Sequence, residues 1–193
     1  MRIHIIGAAG AGKTTLAMQL AGQMHLHHIE LDGYYWLPGW QRSPDARFRD
    51  TVRLLLESEA WIMDGTYETV RQLIWRRVDV VIWLDYAAPV VIWRLLRRGI
   101  HDIVRQTDLW GTSNRESWRL LGGRDSLILR AVRAARRMRT TYPALFAQDV
   151  QRHIHFARLR SQQETRQWLS ATLRAPLSCY AECCPTRLCR KLS

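Results

Sequence analysis

The stretch Gly7-Ala8-Ala9-Gly10-Ala11-Gly12-Lys13-Thr14 constrains this chain more than any other feature. It fits the pattern G-x4-G-K-[ST] with no mismatch. Before it, Arg2 to Ile6 is a short apolar run that reads as a buried strand. After it, Leu16, Leu20 and Met24 recur at helical spacing. A glycine-rich turn between such a strand and such a helix aims backbone N–H groups inward and makes an anion nest at the helix N-terminus. Lys13 supplies a compact positive charge to the β- and γ-phosphates of a nucleotide, the Thr14 hydroxyl can ligate Mg2+, and Thr15 can donate to an α-phosphate. The implied ligands are ATP and Mg2+, with Gly7, Gly10, Ala11, Gly12, Lys13, Thr14 and Thr15 around the phosphates.

The rest of the chain keeps alternating. His27 to Leu31 reads as a second strand ending at Asp32, followed by an aromatic, turn-rich loop from Gly33 to Pro44. Ser43-Pro44 starts a helix through about Glu57, with Pro44 suited to the first turn. Trp61 to Met63 is a third strand ending at Asp64-Gly65, Val70 to Arg77 a helix, and Val78 to Leu84 a fourth strand ending at Asp85. A helix from about Pro89 to Arg98 leads into Gly99 to Gly123, which is polar, weakly periodic and reads as a mobile insertion. A basic helix covers about Asp125 to Thr141, with Pro143 just beyond it, and His153 to Leu159 makes a fifth strand. Gln162 to Leu173 closes the domain as a helix. This order predicts an α/β fold of the P-loop NTPase type, three layers α/β/α, with a five-stranded parallel sheet and an inserted helical lid. Residues 1–174 form one domain, with the lid at about 99–123 and a cysteine-containing flexible tail at 175–193. In such sheets ligands bind at the carboxyl ends of the strands. Those ends carry Gly7, Asp32, Asp64 and Asp85.

Composition narrows the classes further. A chain of 193 residues suffices for one well-filled core and is short for two. With 47% hydrophobic residues and nine tryptophans it is not disordered throughout. The most apolar stretch, Val80 to Trp93, is cut by Asp85, which excludes a membrane span. His4 and Lys13 interrupt any signal-peptide core, so a cytoplasmic protein is expected. All four cysteines, Cys179, Cys183, Cys184 and Cys189, fall in the tail, and their spacing matches no standard zinc pattern. The net charge of +12 comes from 27 arginines and two lysines against 17 acids. Arg94 to Arg139 holds twelve arginines and four acids, a surplus of eight. Arg94 and Arg98 stand four apart on one helix face, and planar guanidinium forks suit phosphate oxygens. Together with Arg115 and Arg124, which bracket the insertion, they are candidate catalytic residues. Arg130, Arg133, Arg136, Arg137 and Arg139 read instead as a solvated face or a nucleic-acid patch.

Carboxylates supply the remaining candidates. Asp64 and Asp85 both end apolar strands and compete to hold Mg2+ through water; spacing alone does not choose. Gly65 permits close backbone approach to phosphate and favours Asp64, while Pro89 suits Asp85 as a helix cap. Asp32 can take a proton from an acceptor hydroxyl or cap the following loop. If the strand continues, Glu30 faces the same side. Tyr34, Tyr35, Trp36 and Trp40 can stack on a planar substrate, though covering the sheet edge is their commoner use.

These residues together resemble the adenylate-kinase-like small P-loop kinases, and most of all the bacterial adenylate-kinase-related proteins labelled DNA topology modulation proteins. The resemblance spans about residues 1–173. It rests on the G-x4-G-K-T loop, Glu30-Leu31-Asp32, Leu37-Pro38-Gly39-Trp40, Asp64-Gly65-Thr66-Tyr67 and Val81-Ile82-Trp83-Leu84-Asp85. Arg94-x3-Arg98, Asn114-Arg115-Glu116-Ser117 and Arg124-Asp125-Ser126 complete it. It implies an acceptor-binding segment near residues 32–60, a lid near 99–123 and Asp64 in the magnesium shell. It also implies Arg94 and Arg98 approaching the transferred phosphate and Arg160-Ser161-Gln162 beside the adenine. Two positions depart: the arginines that hold an acceptor phosphate in adenylate kinases are Glu68 and Tyr35 here. A small acceptor with a free hydroxyl, aromatic or sugar-like, therefore suits the site better than AMP. A kinase is the expected activity, with nucleic acid as a less favoured partner and no membrane. The alternatives are a nucleic-acid-associated regulatory ATPase and a nucleotide-binding protein with weak hydrolysis. The sequence sets no oligomeric state.

Overall fold

Five short apolar runs, each too short to fill a helix turn by turn, pair as parallel strands in the order β2-β5-β1-β6-β7. They are β1 (Arg2–Gly7), β2 (His28–Glu30), β5 (Trp61–Asp64), β6 (Val80–Leu84) and β7 (His155–Leu159). The computed structural model describes residues 1–105, 108, 110–112, 114, 126–147 and 153–174. Between the strands run α1 (Lys13–Met24), α2 (Leu31–Tyr35), α3 (Asp45–Leu55), α4 (Glu68–Trp75), α5 (Ala88–Arg105), α6 (Leu127–Phe146) and α7 (Gln162–Arg174). The central strands are buried on both faces, which is why β5 and β6 read as continuous apolar runs rather than alternating ones.

Strand alternation splits the interior into two cores. Ile3 and Ile5 of β1 join Leu16 and Leu20 of α1, Val91 and Leu95 of α5, and Trp168 of α7 on one face. Ile6 joins Phe48 and Val52 of α3, Val70 and Ile74 of α4, and Trp61, Met63 and Trp83 on the other. Helix α6 reaches both, with Ala131 in the first core and Met138 and Tyr142 in the second. The order places β1 between β5 and β6, so the crevice at its carboxyl end opens where the chain switches sides of the sheet. Among the described residues no helix is long and apolar enough to cross a membrane.

Three sequence expectations need correction. Helix α5 continues past Arg98 to Arg105, because Val91, Leu95, Gly99 and Asp102 form one buried stripe and Gly99 serves close packing instead of ending the helix. The region Gly33 to Pro44 is not a plain loop. It holds the end of α2 and a small antiparallel hairpin, β3 (Trp36–Leu37) and β4 (Gln41–Arg42), joined by a single turn of 3-10 helix. Pro143 lies inside α6, whose last turn is held by Tyr142 and Phe146 packed against Trp75 and Trp83. Most of the expected lid and the whole tail, with its four cysteines, lie outside the described residues.

Candidate active site

Helix α1 begins at Gly12, whose backbone is left-handed (φ 93°), a conformation glycine adopts without strain. No side chain caps this helix start and no acid stands in its first turn. Its first N–H groups therefore face the crevice as an anion nest with the positive end of the helix dipole behind them. The loop is fixed from outside. Thr66 stitches it to the end of β5, its Oγ1 accepting from Gly7 N–H at 3.1 Å and donating to the Gly7 carbonyl at 3.2 Å. Lys13 Nζ donates across the loop to the Ala8 carbonyl at 3.2 Å.

Beneath the nest, Thr14 Oγ1 donates to Asp64 Oδ2 at 2.8 Å, and Asp64 Oδ1 meets His28 Nε2 at 2.7 Å. Asp64 is buried at the end of β5. The next residue, Gly65, lies so close to Leu31 that a Cβ there would come within 2.7 Å of it, and its φ of 136° suits glycine alone. His4 anchors that turn from the core. Its Nε2 donates to the Gly65 carbonyl at 2.9 Å, and its Nδ1 accepts from the Trp75 indole at 3.2 Å. Burial pushes its pKa down to about 4, so this imidazole is neutral.

Asp85 has a different environment. Arg139 Nε donates to Oδ1 at 2.6 Å, and Arg158 donates to Oδ2 through Nε at 3.0 Å and Nη2 at 2.6 Å. Arg158 also lies over the Trp83 ring at 4.3 Å, and Arg139 holds the Tyr86 carbonyl at 3.0 Å. Arg139 is thus an ion-pair partner of buried Asp85, although its own side chain stays on the exposed face that the sequence predicts.

A cavity of about 1030 Å³ runs from the nest to the hairpin. Lys13, Thr14, Thr15, Arg94 and Arg98 line its phosphate end, and Glu30, Asp32, Trp36 and Trp40 line the other. Arg94 donates to the Ala11 carbonyl at 3.0 Å and to Gln162 Oε1 at 3.3 Å, and lies over Tyr86 at 5.0 Å. Gln162 belongs to the segment expected beside the adenine. That segment is set by Ser161, which accepts from Glu164 N–H, while Glu164 accepts from Arg160 N–H. Arg98 pairs with Asp102 at 3.9 Å on the same helix.

Asp32 sits in α2, not at the end of a strand, so alternation does not set its direction; it still lines the cavity with Glu30. The Tyr67 hydroxyl donates to Asp32 Oδ1. Burial and the Asp32 charge raise the Tyr67 pKa far above the usual tyrosine range, so it remains a donor. Burial also raises the Glu30 pKa. The structure thus gathers Gly7, Gly10, Ala11, Gly12, Lys13, Thr14, Thr15, Asp32, Asp64, Arg94 and Arg98 at one crevice. Arg115 and Arg124 lie outside the described residues. Glu68 is exposed, paired with Arg137 away from the cavity, and Tyr35 packs on Tyr67 and Phe48. Sequence reasoning missed His28, Thr66 and Tyr67. His28 left a signal in its place two residues before Glu30 on the same strand face, and Thr66 and Tyr67 stood in the motif after Asp64 without a role assigned to them.

No protein-family model matches the chain. Among curated proteins, the uncharacterized protein YqaC of Bacillus subtilis (strain 168) is 31% identical over 101 residues, 50% of this chain and 55% of that protein. The match thus spans about half of each. Among solved structures, shikimate kinase from Acinetobacter baumannii in complex with shikimate aligns over 90% of both chains, with a TM-score of 0.55 and 16% identity. Shikimate kinase from Bacteroides thetaiotaomicron aligns over 91% of this chain and 99% of that one, with a TM-score of 0.51 and 19% identity. The fold is that of the small P-loop kinases. Both of these neighbours are shikimate kinases, and the expected likeness to DNA topology modulation proteins is not confirmed by them.

Proposed function

We propose that this protein is a kinase that moves the γ-phosphoryl group of ATP, with Mg2+, to a hydroxyl of a small acceptor. The observation that carries this reading is the single cavity with a phosphate nest at one end and a tyrosine-held carboxylate at the other. ATP phosphates lie on the first N–H groups of α1, and Lys13 leaves the Ala8 carbonyl to meet them. Thr14 and Asp64 supply the hard oxygen donors that Mg2+ prefers. When bound, held by Thr14 and Asp64, the ion would neutralise charge developing on the transferred group. The acceptor oxygen bonds to the γ-phosphorus while the bond to the β,γ-bridging oxygen breaks, so ADP leaves with that electron pair. Asp32 takes the hydroxyl proton. Arg94 and Arg98 neutralise charge on the equatorial oxygens, and Arg115 and Arg124 join them in this reading.

The regulatory-ATPase reading has one supporting observation, the exposed Arg133, Arg136 and Arg137 on α6. Arg94, Arg98 and Arg130 line the cavity instead, and Arg139 is bound to Asp85, which favours the kinase. The test is an ATP-consumption screen over hydroxylated metabolites, with DNA retention measured across salt beside it. The expected result is acceptor-dependent ADP release that Lys13→Ala abolishes. Unchanged ATP affinity and turnover in that variant would remove the loop from the reaction, and salt-steep DNA retention without acceptor turnover would favour the ATPase.

A further inference from the structure

The end of the cavity opposite the phosphate nest is built from tryptophans. Trp36 and Trp40 stand 5.7 Å apart with planes at 73°, and Trp40 and Trp110 stand 6.1 Å apart at 87°. All three line the cavity. Trp40 (φ 59°) and Trp110 (φ 57°) both have left-handed backbones. Bulky residues hold that conformation only where the surroundings enforce it, and such positions concentrate at ligand clamps. At Trp40 buried Asn114 enforces it. Its Oδ1 accepts from Trp40 N–H at 2.9 Å and its Nδ2 donates to the Leu37 carbonyl at 3.0 Å, which clasps the hairpin turn. Aromatics that only cover a sheet edge need no such clasp.

Glu30 and Asp32 line the same end. Glu30 is half-buried, bonded to the Trp110 side chain and close to the like charges of Asp64 and Asp32. Arg42 also lines the cavity, and it stands exposed on β4. Indole faces and carboxylates both attract cations and both repel anions.

On the kinase reading, we infer that the acceptor is a small hydroxylated amine. Its ammonium group lies against the faces of Trp36, Trp40 and Trp110 and beside Glu30, and its hydroxyl points past Asp32 to the phosphate nest.

The test is calorimetric titration of the full chain with choline, ethanolamine and glucosamine. Each is compared with its neutral isostere (the carbon analogue of choline, ethylene glycol, glucose) and with the anions glycolate, glucuronate and shikimate. At least one amine should bind about tenfold more tightly than its isostere, with the anions weakest. Trp110→Ala and Glu30→Gln should each weaken amine binding about tenfold, with Trp110→Phe between wild type and Ala, since a phenyl face attracts cations less. Retained ATP binding is the folding control. An anion binding more tightly than every amine, no amine binding at millimolar concentration, or amine binding indifferent to Trp110 and Glu30 would each overturn the inference. Amine binding with this pattern but no ATP consumption leaves the ligand class standing and removes the kinase. ATP consumption with an anionic acceptor does the reverse.

Discussion

Strands β5 and β6 flank β1 and both are apolar; β5 ends in buried Asp64 and β6 is followed by buried Asp85, yet the two carboxylates sit in opposite chemical settings. Asp85 receives three guanidinium N–H bonds from Arg139 and Arg158. Asp64 meets a hydroxyl and an imidazole. A carboxylate offers roughly four acceptor positions, and two arginines fill most of them with charge already balanced. Asp85 therefore ties β6 and β7 to α6, whereas Asp64 faces the nest with a neutral donor between it and the phosphates. Asp64 stands opposite Ile5 of β1 while Asp85 lies beyond the level of Gly7, and that offset along the sheet brings different partners within reach of each carboxylate.

The sharpest break in this comparison is Asp64→Asn. Turnover should fall about a thousandfold, roughly 4 kcal/mol of transition-state stabilisation, while the melting temperature stays near that of the parent. Steady-state rates across Mg2+ concentrations beside a melting curve check this. Asp85→Ala should do the opposite: stability falls by about 3 kcal/mol because two arginines lose their counter-charge, and activity per folded molecule survives. Urea unfolding reads that difference. The β5 end should also respond to acid through His4. Its folded pKa, about 4, lies below the unfolded value of 6.5, so the unfolded chain binds the proton first. Its stabilising contribution is complete above pH 6.5 and drains as pH falls toward 4, by about 2 kcal/mol at pH 5. Unfolding midpoints measured across that range should slope accordingly, and a flat profile would place a charged or exposed His4. The smallest effect is expected at Glu68→Ala, where an exposed ion pair with Arg137 is lost. Stability should move by no more than about 0.5 kcal/mol and acceptor turnover should not change; a large loss of turnover would put Glu68 back in the acceptor site.

The phosphate nest was legible because its chemistry is local: one strand, one turn and one helix carry it. The sheet was legible because buried parallel strands are apolar on both faces. Less visible were interactions between distant segments. Nothing near Arg139 announces its bond to Asp85, 54 positions away in the chain. Gly99 looked like a stop because glycine weakens helices, yet tertiary packing over Leu95 and Asp102 outweighs a propensity cost of about 1 kcal/mol. The hairpin at Trp36 is held by Asn114 from beyond α5, and Tyr67 reaches Asp32 across 35 residues. Composition could suggest the aromatics of the site; only the fold could bring them around one cavity.

The continuous cavity has a kinetic consequence. With nest and carboxylate opening into one space, a donor and an acceptor can be held together, and no side chain needs to carry the phosphoryl group between them. Initial-rate lines at varied ATP should then intersect rather than run parallel, and a chiral γ-phosphorus should emerge with its configuration inverted, as a single in-line displacement requires.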